Sequence, residues 1–166
     1  DHWLPPDNYQ LYRGAKVAHR TSPTNIGMAL LANLSAYDFG YIPTGHLLER
    51  TANTLRTLDS LERHRGHFYN WYDTQTLQPL SPLYVSTVDS GNLVGHLLTL
   101  RAGLLALADD QILRAHLFDG LGDTLRILAA TTDGVAVAPM EAFAKELESA
   151  ATSVPGKLAG LRSQLE

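Results

Sequence analysis

The stretch SGNLVGHLLTLRAGLLALA, Ser90 to Ala108, decides how the rest of the chain is read. Leu93, Leu97, Leu100, Leu104 and Leu107 fall at offsets 0, 4, 7, 11 and 14, one face of an α-helix. Val94, Leu98 and Leu105 make a second stripe beside them. A helix apolar around most of its circumference is buried on most sides, so other helices are expected to surround it.

Upstream, Ser22-Pro23 is a helix start, with Ser as N-cap and Pro at the first helical position, where its missing N–H costs nothing. Ile26, Leu30, Leu34 and Tyr37 share a face of that helix, and Gly40 ends it. The next helix is predicted from Thr44 to about Arg65, with Leu48, Ala52, Leu55 and Leu58 turned inward and Gly66 as its stop. Residues 1–22 read as an irregular arm anchored by Trp3, Tyr9 and Tyr12. From His67 to Asp89 the chain is aromatic and proline-bearing without helical period, and loops of such length are more often functional than accidental.

Downstream, helices are expected at about Gln111 to Ala130, Pro139 to Ala151 and Pro155 to Gln164, with Thr132 to Ala138 as a linker. The last keeps Leu158, Leu161 and Leu165 in phase. The predicted class is all-α: antiparallel αα-hairpins forming part of an (α/α)6 toroid. The expected division is an arm (1–22), a helical core (23–131), and a linker with outer helices (132–166). Half a toroid would leave inner helices uncovered, so the piece is expected to self-associate.

A chain of 166 residues with net charge -4 has no Lys/Arg cluster, which disfavours nucleic acid and anionic membrane as partners. There is no cysteine, hence no disulfide and no thiolate zinc site. No apolar run is expected to approach the roughly 18 residues of a membrane span, and the first residues lack a signal peptide's basic and apolar regions. The chain reads as soluble, and its start at Asp1 without a Met is expected of a piece cut from a longer protein.

Three polar clusters lead into helices: AHRTSPTN (18–25), GHFYNWYD (66–73) and VSTVDSGN (85–92). In stacked αα-hairpins such approaches meet at one end, so residues distant in sequence can share a cleft. Sugars are recognised by aromatic faces against C–H groups and by planar groups that meet hydroxyls in pairs. Tyr69, Trp71 and Tyr72 supply the first kind; Arg20, Asn25, Asn70, Asp73, Asp89 and Asn92 supply the second. All of these but Tyr72 are the eight predicted substrate contacts, although capping explains Ser22 and Asp89 and loop anchoring explains the aromatics just as simply.

Glycoside chemistry uses two carboxyl groups flanking the scissile bond. Only Asp73 and Asp89 lie within the clusters, and a binding role is expected of both, leaving the catalytic groups unassigned. His64 and His67 straddle Gly66 without a metal motif around them, so no metal site is expected. There is no glycine-rich phosphate loop.

Taken in order, LPPDNYQ (4–10), VAHRTSPTNIG (17–27), LERHRGHFYNWYDTQTLQPL (61–80) and YVSTVDSGNLVGHL (84–97) resemble bacterial cyclic β-1,2-glucan synthases over about Asp1 to Leu107. Gly66, Phe68, Tyr69, Asp73, Val85, Ser86, Thr87 and Asp89 also match a pattern of glucoamylase-like domains. The resemblance implies a piece at the start of the middle, cyclising domain of a large enzyme embedded in the bacterial inner membrane. This piece would sit on the cytoplasmic side and contribute a β-1,2-glucan cleft to cyclisation by transglycosylation. It implies UDP-glucose as the parent's donor, no cofactor in this segment, the parent's remaining domains as partners, and no activity for the piece alone. No glutamate pair lies in the matched loops, so the catalytic acids are expected elsewhere in the parent. The alternative is a non-catalytic helical scaffold or interaction segment of the same protein.

Overall fold

A computed structural model describes residues 1–12, 14, 16–111, 114–131 and 137–153. Among them are five α-helices, α1 (Pro23–Asp38), α2 (Thr44–Ser60), α3 (Thr87–Ala106), α4 (Ala115–Thr131) and α5 (Val137–Ser153). Six two-residue strands pair antiparallel: β1 (Tyr9–Gln10) with β2 (Lys16–Val17), β3 (Arg20–Thr21) with β6 (Tyr72–Asp73), and β4 (Arg63–His64) with β5 (His67–Phe68). The chain divides into two compact units, one of residues 1–34 and 45–108, the other of 35–44 and 109–166. The described residues are mostly helical as expected, and the predicted helix at Pro155 to Gln164 lies outside them.

In the first unit, the core gathers Leu4, Ile26, Leu30, Leu58, Leu61, Tyr72 and Leu100. Leu4 belongs to the stretch expected to be an irregular arm, yet it is buried, and the arm carries three strands. Helix α1 starts as its sequence dictates: Ser22 Oγ accepts from the Asn25 N–H at 3.2 Å. Helix α3 begins three residues earlier than expected, because Ser86 rather than Asp89 is the N-cap. Ser86 Oγ accepts from the Asp89 N–H and donates to the Asp89 carboxylate at 2.6 Å, a capping box that fixes the start.

Several expectations about the helices are corrected. The buried face of α2 is Leu47, Thr51, Thr54 and Leu58, so Leu48 and Leu55 point outward, and the helix stops at Ser60. The reason is the β4–β5 hairpin, whose two-residue turn, Arg65 and Gly66, needs positive φ at both positions (50° and 86°). In α3, Leu93 and Leu100 are buried while the second stripe, Val94, Leu98 and Leu105, is exposed together with Val88. The helix therefore buries one side, not most of its circumference. With the following turn, Thr87–Asp109 is also long and apolar enough to cross a membrane by length and composition, which overturns the expectation that no stretch reaches that size.

In the second unit, α4 packs along α5, with Leu147 buried. Gly40 ends α1 at φ +76°, with the Tyr41 N–H returning to the Ala36 carbonyl at 2.8 Å, as a C-terminal glycine should. A Cβ at Gly40 would overlap the backbone carbonyl of His116, and one at Gly120 would overlap the Gly40 carbonyl, so two backbones meet where only glycines fit. Beside them the Arg114 guanidinium lies 5.1 Å from the Tyr37 ring centroid and pairs with Asp110, which also accepts from Tyr37 Oη.

Candidate functional site

The three polar clusters do converge in the first unit, through short local elements rather than by chance proximity. Strand β3 pairs with β6, setting Arg20 opposite Asp73 and Thr21 opposite Tyr72. Tyr72 is fully buried; its hydroxyl donates to the Glu62 carbonyl at 2.7 Å and accepts from the Tyr69 N–H at 2.8 Å. That anchor fixes the polypeptide on either side of it, and with it Asn70, Trp71 and Asp73.

Arg20 stacks over Trp71, its guanidinium carbon 4.7 Å from the ring centroid. Its Nε and Nη2 both donate to Asp7 Oδ2, at 3.1 and 2.9 Å, while Asn25 donates to Asp7 Oδ1 at 3.2 Å. Asp7 is itself pinned by its N–H to the Ala18 carbonyl. The buried Asn70 amide, oriented by its neighbours, donates to Asp89 at 2.9 Å and accepts from Trp71 Nε1 at 2.8 Å and Tyr84 Oη at 2.7 Å. Asn92 donates to Thr24 Oγ1 at 3.1 Å. Asp89 takes hydrogen bonds from Ser86, Thr24 and Ser22, so one carboxylate joins the starts of α1 and α3.

Of the eight predicted residues, Arg20, Asn25, Asn70, Trp71, Asp89 and Asn92 thus enter a continuous side-chain network. Asp73 joins it only through the strand pairing, because its carboxylate is spent on the N–H groups of Gln75 and Thr76, both at 2.8 Å. Tyr69 stands apart: its ring packs 6.4 Å from Tyr72 and 6.2 Å from His64, on the edge of the core. Asp7, Thr24, Tyr84 and Ser86 were missed. The Ser86-x-x-Asp89 capping box was legible in the sequence; Asp7, which follows Pro5-Pro6, carried no pattern that foretold its partners.

The electrostatics follow from these bonds. Burial pushes the Asp89 carboxyl up, but the donors from Ser86, Thr24 and Ser22 outweigh it and hold the carboxyl below the ordinary value. Asp7 behaves alike: burial raises it, and hydrogen bonds from Arg20 and Asn25 with the Arg20 charge bring it down. Asp73 is lowered by the backbone N–H groups of Thr76 and Gln75. Three carboxylates and one guanidinium leave the cluster net negative, which suits an uncharged polyhydroxyl ligand better than a phosphate. A cavity of about 280 Å³ lined by Phe118, Asp123, Arg126, Leu147 and Glu148 lies in the second unit and holds none of the predicted residues.

All three depressed carboxylates titrate from an unfolded value of 3.8. Such groups contribute stability fully above that value and lose it as the pH falls through their lower folded values. The first unit is expected to lose melting temperature on acidification below pH 3.8, in a circular dichroism series. Asp89→Asn is expected to melt lower at neutral pH and to show a shallower acid limb, since the titrating group is gone.

No family model matches the chain. Direct comparison shows 44% identity over 129 residues, 76% of this chain, to a bacterial glucan synthase, and the chain is homologous to a segment of it. That relative is the cyclic β-(1,2)-glucan synthase NdvB of Rhizobium meliloti (strain 1021), and the chain spans 4% of its length. The resemblance carried by the four motifs is therefore shown.

Proposed function

We propose that the chain works as part of a cyclic β-1,2-glucan synthase and that the Arg20–Trp71–Asp89 cluster contacts the glucan during cyclisation. The observation that supports this is convergence: side chains from residues 7 to 92 meet in one network of planar hydrogen-bonding groups around a half-buried indole. Arg20 and Asn92 lie at its exposed margin and keep N–H groups for hydroxyls. The catalytic acids of such an enzyme lie outside the cluster in this reading, since Asp73 and Asp89 are already engaged. The helices form part of a larger α/α toroid at the cytoplasmic side of the inner membrane, whose other parts cover the outward face of α3.

A second reading is favoured by that same engagement of Asp73, Asp89 and Asp7: the network is a brace that fixes two helix starts, and the segment is a scaffold. Titration with linear β-1,2-glucan, followed by tryptophan fluorescence, separates the two. The binding reading expects a saturable change that weakens about tenfold in Arg20→Ala, the loss of one charged hydrogen-bonding partner. A folded chain that shows no change at any glucan concentration leaves the scaffold.

A further inference from the structure

The protein has two tryptophans, and the cluster accounts for only Trp71. Trp3 is 51% exposed, a poor use of a large apolar ring unless something covers it. Its backbone is costly as well. His2 and Trp3 sit at φ 50° and 65°, where an L-residue spends about 1–2 kcal/mol.

The turn persists because it is held from both sides. Thr57 Oγ1 donates to the His2 carbonyl at 2.7 Å and Thr54 Oγ1 to the Trp3 carbonyl at 3.2 Å, fastening both carbonyls to α2. Leu4, the next residue, is buried in the core. With the carbonyls and Leu4 drawn inward, the indole is left outside. The same turn is tied to the strand pair that carries the cluster: the Asp1 carboxylate meets His19 Nδ1 at 2.9 Å and Thr74 Oγ1 at 3.4 Å, and His2 Nε2 meets the Gln75 carbonyl at 3.1 Å. His19 and Thr74 are the sequence neighbours of Arg20 and Asp73, which face each other across β3 and β6.

We propose that Trp3 is a second sugar-stacking residue, presented by this strained turn to the glucan chain that the Arg20–Trp71 cluster engages; the proposal rests on the glucan-binding reading. Strain and exposure then have a common purpose. A backbone fastened in advance leaves less entropy to lose when a sugar face covers the ring it carries.

The full 166-residue chain grown with 5-fluorotryptophan gives one fluorine NMR signal per tryptophan, and Trp3→Phe assigns them. On titration with linear β-1,2-glucan both signals are expected to move with one midpoint. Trp3→Ala is expected to weaken binding roughly five- to tenfold by calorimetry, with the helical circular dichroism unchanged. If only the Trp71 signal moves and Trp3→Ala binds as tightly as the parent, Trp3 is overturned and the binding reading stands. If neither signal moves, both fall. Should Trp3→Ala misfold, Trp3→Leu, which keeps apolar bulk without a ring face, supplies the affinity comparison.

Discussion

Gly40→Ala is expected to unfold the second unit while the first remains folded. Gly40 holds φ +76°, which an alanine adopts at a cost of about 1–2 kcal/mol. The larger penalty is steric: the new methyl would overlap the His116 carbonyl and lie 2.9 Å from Leu117 Cα, atoms of a helix backbone that cannot swing aside. Together these exceed about 4 kcal/mol, a large part of what a small domain possesses. Both tryptophans are in the first unit, so tryptophan emission should stay native while helical circular dichroism falls by the share of α4 and α5. Loss of native emission together with helicity would mean that the two units unfold as one.

Tyr72→Phe is expected to cost about 2–4 kcal/mol, or roughly 10–20 °C of melting temperature in a unit of this size. The ring is kept, so no cavity forms. What disappears is one hydroxyl that serves two backbone groups, the Glu62 carbonyl and the Tyr69 N–H, and both are left without that partner. Burial raises the Tyr72 hydroxyl above its ordinary value, so it stays protonated and donating through neutral pH. Because Asn70 and Trp71 are placed by the same residue, the proposed glucan contact is expected to weaken together with the melting temperature. Thermal melts at neutral pH test the magnitude, and a variant within about 1 kcal/mol of the parent would show that other donors replace the hydroxyl.

The start and stop of α1 were the most legible part of the fold. Ser22-Pro23 and Gly40 act through local backbone chemistry that needs no distant partner. The α2 face was misread because Thr51 and Thr54 are buried where an apolar pattern looks for leucine. Those two threonines sit inward, Thr54 donating to the arm at Trp3, a partner that sequence periodicity does not reveal. The outward stripe of α3 misled in the opposite sense: its leucines have the period of a buried helix, yet the described residues leave them uncovered. At the candidate site, residue types and the convergence of the three clusters were readable. Their division of labour was not, since the turn at Gln75 and Thr76 that claims Asp73 and the pairing of Asp7 with Arg20 arise only when the chain has folded.

The bond from Asn92 to Thr24 spans 68 positions of the chain, and closing a loop of that length costs about 4 kcal/mol of entropy before any contact repays it. Hairpins such as Arg63 to Phe68 and the α4–α5 pair close over far shorter distances. The network that joins the starts of α1 and α3 is thus expected to assemble late during folding, and Asn92→Ala is expected to speed unfolding more than it slows folding.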